Sequence, residues 1–276
     1  MTIQNLDGIR FRMREEYDFG FLSGFGRVFK VFDDQDSGNI CFGVENSEGR
    51  LFIKFAGAST AEYCGTPEDA VYRLKAAVPV YKALSHPALI HLREAREIGG
   101  GYAAVFDWAE GECMGRMYED SHKKIMALPV EEKLGIFAAV IDFLKYTASK
   151  GRTAIDFYDG CIMYDTVSKK TVICDIDYFR KQPTVNDMGR MWGSSRFMSP
   201  EEYELGAVLD EITNVFTLGQ MGFSLFTDSD RSPGVFPLGM GCYDLLIKAI
   251  SPEREKRFHT IAEFEENWKR EIDTRR

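Results

Sequence analysis

The spacing of apolar residues changes along this chain of 276 residues, and that change limits the fold more than any other feature. Residues 27–32 and 51–55 alternate between apolar and polar side chains, and residues 40–45 are rich in β-forming residues. Such segments are typical of strands. From Pro129 onward, apolar residues recur every three or four positions, as on one face of a helix. The sequence therefore predicts an α+β protein with strands first and helices later.

The first third of the chain carries signals for five strands and one helix. Pro67 and the two acidic residues after it open a stretch with helical spacing, where proline is tolerated and negative charge is favourable. This helix is expected to end near residue 85, before a His-Pro pair. The predicted strands cover residues 27–32, 40–45, 51–55, 89–97 and 102–108.

The later part of the chain is predicted to be mostly helical, with one small hairpin. Two short apolar segments, residues 161–164 and 171–174, are separated by a turn-like stretch. This hairpin places Asp156 before its first strand and Asp175 after its second strand.

The composition argues against several classes of function. A net charge of -9, from 43 acidic and 34 basic residues, disfavours a nucleic-acid partner, because such proteins carry a basic surface. The six cysteines lack metal-binding spacing and indicate reduced thiols. Neither a signal-peptide pattern nor a membrane-spanning apolar run is visible. We therefore expect a cytoplasmic protein that binds neither nucleic acid nor membranes.

A segment at residues 193–201 reads Gly-Ser-Ser-Arg-Phe-Met-Ser-Pro-Glu, and two aspartates, Asp156 and Asp175, precede it in the chain. Asp156 and Asp175 are separated by about 19 residues, as are the catalytic and metal-binding aspartates of protein kinases. Together with residues 214–219 and Arg257, this ordered set resembles the C-terminal lobe of a eukaryotic-type protein kinase. In that family the segment runs from Gly-Thr-Pro to Ala-Pro-Glu, so serine stands here for threonine and for alanine.

The resemblance covers nearly the whole chain and implies a two-lobed protein-kinase-like fold. Residues 1–109 would form a five-stranded antiparallel lobe with one helix, and residues 110–276 a mostly helical lobe. A nucleotide cleft would lie between them, with a hinge near residues 107–111. The implied activity is phosphoryl transfer from ATP, with Mg²⁺ or Mn²⁺, to a Ser or Thr hydroxyl of a protein substrate.

The same resemblance assigns roles to individual residues. Asp156 is the expected catalytic base, which accepts the proton of the substrate hydroxyl. Lys54 is expected to contact the α- and β-phosphates, although a lysine on an alternating strand would otherwise be a solvated charge. The implied nucleotide-binding residues are Lys54, Gly38, Asp107 and Ala109, and the implied metal ligands are Asp175 and Asp177.

The metal site departs from the family pattern. Cys161 stands where the family has a metal-binding asparagine, and sulfur suits Mg²⁺ poorly. Asp177 or Asp159 is expected to supply the missing oxygen. If residues 175–177 are extended, the two carboxylates point to opposite sides and only one faces the nucleotide. We favour Asp175 as the principal ligand.

The phosphate-binding region departs further. The turn at residues 33–39 keeps one of the family's three glycines, Gly38, and carries three carboxylates that repel a triphosphate. The helix after Lys54 has Ala77 where the family has a glutamate that pairs with the lysine. The carboxylates considered as replacement partners of Lys54 are Glu62, Glu68 and Asp175.

Other exchanges concern the segment between Asp175 and residue 201. Ile155 replaces the arginine that binds a phosphorylated activation loop, and Arg190 stands near the modified position, which predicts a loop that needs no phosphorylation. Glu201 and Arg257 are expected to form a buried ion pair. Asn214 replaces an aspartate that hydrogen-bonds the catalytic loop, and it offers weaker bonds because it is uncharged.

Two other functions remain open. One is a pseudokinase that acts as a protein-binding scaffold, which the exchanges at Ala77 and Cys161 favour. The other is a small-molecule phosphotransferase of the aminoglycoside or choline kinase type. The 193–201 segment disfavours the second, because those enzymes lack this platform for protein substrates.

Overall fold

The computed structural model describes residues 1–275, and the chain divides into two compact units. The first unit contains Met1–Ser85 and Ile90–Ala109. The second contains the short stretch His86–Leu89 and the chain from Glu110 onward.

The first unit is built on a five-stranded antiparallel sheet with one helix, α1. The order of the strands across the sheet is β3-β4-β5-β7-β6, so β5 is central. A separate hairpin, β1 and β2, precedes the sheet in the chain. The bounds are β1 Thr2–Leu6, β2 Ile9–Met13, β3 Arg27–Phe32, β4 Asn39–Asn46, β5 Gly49–Ala56, α1 Pro67–Ala83, β6 Leu92–Ile98 and β7 Gly101–Asp107.

The predicted five strands and helix are confirmed, but the hairpin of β1 and β2 was missed. Its turn is Asp7-Gly8, and both residues have positive φ. Asp-Gly between alternating apolar residues is a strong hairpin signal, because the tight turn requires φ above zero at both positions. The sequence therefore contained the information for this hairpin.

Aromatic residues form the core of the first unit on one face of the sheet. Phe42 and Phe55 pack there against Phe11 of β2 and against Phe19. The other face carries α1, whose Tyr81 packs edge-on against the sheet. The side chain of Thr66 accepts a hydrogen bond from the backbone of Asp69, which caps the start of α1.

The second unit is mostly helical, with five helices and several short strands in its described part. The helices are α2 Glu119–Met126, α3 Val130–Ser149, α4 Glu211–Thr227, α5 Gly239–Ala249 and α6 Ile261–Asp273. The strands are β8 Glu112–Cys113, β9 Arg152–Thr153, β10 Ile162–Asp165, β11 Lys170–Ile173, β12 Arg180–Lys181, β13 Thr184–Val185 and β14 Val208–Leu209.

The predicted hairpin is confirmed as β10 and β11, which pair antiparallel from Ile162 opposite Ile173. Helix α4 is buried along nearly its whole length and forms the centre of the unit, in contact with α2, α3, α5 and α6. Asp210 caps its start through the backbone of Ile212. A buried central helix can present polar side chains to the loops around it, and α4 does this at Asn214.

None of the helices within residues 1–275 has the length and apolarity needed to cross a bilayer.

Candidate functional site

The two aspartates selected by their spacing flank the β10–β11 hairpin in the second unit. Asp156 lies in the loop of residues 153–161, called here the Asp156 loop, and Asp175 follows β11. Both have left-handed backbone conformations, with φ of 57° and 55°. Residues other than glycine adopt this region at a cost, and such residues cluster at functional sites.

Cys161 joins the backbone at these two aspartates. Its sulfur lies 3.7 Å from the carbonyl oxygen of Asp156 and 3.7 Å from that of Asp175, so its thiol donates to one or the other. Burial, with the charges of Asp175 and Asp156, raises the pKa of the Cys161 thiol. A neutral, buried thiol is a structural donor and a poor ligand for Mg²⁺. The Cys161 thiol thus contacts the backbone at both aspartates but offers no oxygen ligand.

Asn214 of α4 holds the start of the Asp156 loop. Its Oδ1 accepts a hydrogen bond of 2.8 Å from the amide of Ala154, and its Nδ2 donates one of 2.7 Å to the carbonyl of the same residue. The predicted contact of Asn214 with the backbone of the loop that contains Asp156 is therefore confirmed. An aspartate at this position accepts but cannot donate, so the amide satisfies a carbonyl that a carboxylate would leave unpaired.

Ile155 is buried in an apolar cluster with Met191, Met198 and Leu209. This packing replaces the charged contact that an arginine would make at the same position. Arg190 donates to the carbonyls of Met191 and Gly193, at 3.2 Å each, and so fixes the chain on the other side of the cluster. These contacts hold the segment without a phosphate, although independence from phosphorylation stays a prediction.

Glu201 and Arg257 form the predicted buried ion pair. Two hydrogen bonds join the guanidinium and the carboxylate, at 2.6 and 2.9 Å. Burial favours a higher pKa for Glu201, but the hydrogen bonds and charge of Arg257 outweigh it and hold the pKa below its usual value. The pair anchors the end of the 193–201 segment to the chain that leads into α6.

Asp159 and Arg196 form a second link that the sequence did not predict. The Asp159 carboxylate is fully buried and accepts bonds of 2.8 and 3.0 Å from Arg196. Asp159 is therefore a partner of the 193–201 segment, and the idea that it supplies a metal ligand is not supported by its contacts. The signal in the sequence was Arg196, because it is a charged residue among uncharged neighbours in the 193–201 segment.

Asp175 and Asp177 do not lie on an extended strand. Asp175 has a left-handed conformation, and Asp177 lies in a turn closed by a hydrogen bond from the amide of Phe179 to the carbonyl of Ile176. The condition under which the two carboxylates would point to opposite sides, an extended backbone at residues 175–177, is therefore not met. Among residues 1–275, no group of three or more His, Cys, Asp or Glu side chains is arranged to hold a metal ion.

Lys54 lies on β5, the central strand of the sheet in the first unit. It is 7% exposed, so the alternative of a solvated edge charge is wrong. Its side chain is on the same face of the sheet as that of Phe52, which lies opposite Phe106 on the neighbouring strand β7. Helix α1 covers this face, because its Tyr81 packs against Phe106. Ala77 of α1 is fully buried. Glu62, one of the partners considered for Lys54, accepts a bond of 2.9 Å from Arg12.

The turn at residues 33–39 is tied to its own unit by positively charged side chains. Asp33 accepts bonds of 2.5 and 3.3 Å from the backbone and side chain of Arg12, and Arg73 donates to the carbonyl of Ser37. Gly38 has φ of 82°, and a Cβ there would come within 2.9 Å of both Tyr63 and Ala70. Close packing thus accounts for this glycine without a nucleotide.

Asp107 and Ala109 lie at the end of the first unit. The Asp107 carboxylate is shared between Arg93 and His91, and its amide donates to the His91 carbonyl at 3.0 Å. Ala109 is half-buried two residues later. The side chain of Asp107 is therefore engaged by Arg93 and His91, and the nucleotide contacts of Asp107 and Ala109 stay predictions.

Comparison with known proteins adds no family assignment. A scan against models of protein families finds no match, and a search of curated proteins finds none either.

Proposed function

We propose that this protein has a kinase-like fold and transfers the γ-phosphoryl group of ATP to a Ser or Thr hydroxyl of a protein. The observation that carries the proposal is the convergence of Asp156 and Asp175 on one buried thiol, Cys161. Two aspartates about 19 residues apart, held together and adjoining the anchored 193–201 segment, match the parts that phosphoryl transfer requires.

In the proposed reaction the substrate oxygen attacks the γ-phosphorus while the bond from that phosphorus to the bridging oxygen breaks. Asp156 accepts the hydroxyl proton, and its orientation depends on the bonds of Asn214 to Ala154. Lys54 provides the cation for the α- and β-phosphates. Most of the catalytic effect comes from positioning, because the transferred group needs little covalent help from the protein.

The donor set fits a metal ion that arrives with the nucleotide. Mg²⁺ commonly binds one or two carboxylates together with phosphate oxygens and waters, so a site without three protein ligands is sufficient. Asp175, with Asp177 as a second carboxylate, would hold Mg²⁺ or Mn²⁺, which would neutralise charge on the phosphates. Cys161 is outside this set because its thiol stays protonated.

The test is transfer of radiolabel from ATP to the protein itself or to a generic protein substrate. Asp156→Asn is expected to lower the rate at least about 100-fold, because it removes the proton acceptor and keeps the side-chain size. Asp244→Asn, at an exposed position on α5, is the matched control and should leave the rate unchanged. Unchanged transfer by Asp156→Asn would refute the assignment, and addition of choline or an aminoglycoside would reveal a small-molecule acceptor.

A protein-binding scaffold is the second candidate, and the turn at residues 33–39 favours it. Its three carboxylates lie where the family wraps the phosphates, and the turn is fastened by Arg12 and Arg73. A thermal-shift titration separates the two functions, since a ligand that binds the native state raises the unfolding temperature. If ATP with Mg²⁺ or Mn²⁺ does not raise the unfolding temperature and no phosphoryl transfer is detected, the scaffold function is supported.

A further inference from the structure

Glu202 is a buried carboxyl group to which the proposed reaction gives no role. Its side chain is in the core, with the residue 3% exposed. The Oε2 atom accepts bonds of 2.7 and 2.9 Å from the amide and the hydroxyl of Ser199. Within the described part of the chain, Oε1 makes no hydrogen bond to another residue. One half of the carboxyl group is thus fixed, and the other half is available.

A cavity of about 10 Å³ lies beside Glu202 in the second unit. Its wall includes Asp156, Ser194 of the 193–201 segment and Thr217 of α4. The volume is about the smallest that holds one water molecule, and a buried water needs two to four polar partners, which this wall supplies. Gly193 also borders the cavity, and a Cβ built on it would lie 3.6 Å from the Cα of Asp156, so this part of the segment is next to the Asp156 loop.

We propose that Glu202 is a positioning residue, and that its carboxyl group holds the Asp156 loop through a water molecule in this cavity. The inference deepens the proposed function, because the residue it positions is the proposed base. When Glu202 is protonated, its hydroxyl donates to the water, which donates onward to the loop. When Glu202 is ionised, that donor is lost and a second negative charge borders the cavity that Asp156 also lines.

The ionisation falls in the neutral range. Burial raises the pKa of Glu202 to about 7, against the lowering effect of the bonds from Ser199. The charged groups that face it are Glu201, which raises the pKa further, Arg257, which lowers it, and Asp156 across the cavity. The folded state therefore keeps a proton that the unfolded chain releases above the ordinary value of 4.5. The stabilisation of the folded state by this proton is complete below pH 4.5, and it is lost as the pH rises through about 7.

The test follows the backbone amides of Asp156 and Gly193 by nuclear magnetic resonance between pH 5 and pH 9. In the unaltered protein both signals are expected to titrate with a midpoint near 7. In Glu202→Gln, which keeps the acceptor for Ser199 but cannot ionise, this titration should disappear. Glu204→Gln removes an exposed carboxylate two residues away and should leave it in place. The unaltered protein alone suffices if the glutamine variant does not fold, since amides that do not titrate between pH 6 and pH 8 overturn the proposal.

Thermal unfolding supplies a second readout. Relative to Glu202→Gln, the unaltered protein should lose about 5 °C of unfolding temperature as the pH rises from 5 to 8. The rate of phosphoryl transfer should fall over the same range in the unaltered protein and not in the glutamine variant. An identical titration of the Asp156 amide signal in the unaltered protein and in Glu202→Gln would overturn the positioning role. Failure of all phosphoryl transfer would refute the proposed function alone, because the amide titration does not depend on activity.

Discussion

The Asp156 loop and the turn at residues 33–39 each carry residues that the sequence analysis selected, but they are held in different ways. The Asp156 loop is fixed by side chains from distant parts of its unit, among them the buried Asn214 and the half-buried Arg196. The turn is fixed at its surface, by Arg12 and Arg73 from neighbouring elements. The Asp156 loop is therefore part of the core of its unit, whereas the turn at residues 33–39 is a charged surface segment held by ion pairs and hydrogen bonds.

This difference is visible in the side chains of the two regions. In the Asp156 loop, Ile155 and Cys161 each make a buried contact that keeps the backbone in place. In the turn, three carboxylates set the charge that a phosphate would meet. The Asp156 loop thus relies on buried contacts, whereas the turn presents a charged surface.

The largest expected effect separates a buried anchor from a surface anchor. Arg257→Ala leaves the Glu201 carboxylate buried and without its principal partner, which should lower the free energy of unfolding by about 3–5 kcal/mol. Arg12→Ala removes the corresponding fastening of the turn and should have a much smaller effect, because Arg12 is solvated. Urea denaturation of the two variants measures both changes.

Equal losses in these two variants would contradict the comparison. A large effect of Arg12→Ala would mean that the turn is an integral part of the first unit. A small effect of Arg257→Ala would mean that the 193–201 segment is held chiefly by the cluster around Ile155. The double variant Arg257→Ala with Glu201→Gln should recover part of the loss, since it removes a buried charge that, within the described chain, only Arg254 still pairs, at 3.2 Å.

The sequence predicted the elements well because their signals are local. The alternation at residues 51–55 and the proline at the start of α1 each specify an element from its own residues. The Glu201–Arg257 pair came from a family pattern, because nothing local joins two charges so far apart in the chain. The link between Asp159 and Arg196 was missed, since it depends on how the loop and the segment fold against each other.

Buried asparagines offer a second way to test the comparison. Asn214→Ala leaves the amide and carbonyl of Ala154 unpaired, at a cost of about 2–4 kcal/mol. Asn39, at the end of the turn, is also buried, but its Oδ1 has no hydrogen-bond partner among the described residues. Asn39→Ala should therefore cost less than about 1 kcal/mol. A loss at Asn39 that equals the loss at Asn214 would show that the turn has a polar anchor of its own.

The smallest expected difference concerns two glycines with similar backbone conformations. Gly38 in the turn has φ of 82° and Gly8 has φ of 91°, so alanine is strained at both, but only Gly38 is crowded by neighbouring atoms. Gly38→Ala should lower the free energy of unfolding by about 1–2 kcal/mol more than Gly8→Ala, because the new methyl group meets Tyr63 and Ala70. If Gly38 instead serves a nucleotide, its variant will reduce the thermal shift produced by ATP while stability changes no more than in Gly8→Ala. That outcome would give the turn a role in binding, and the contrast between the two regions would fail.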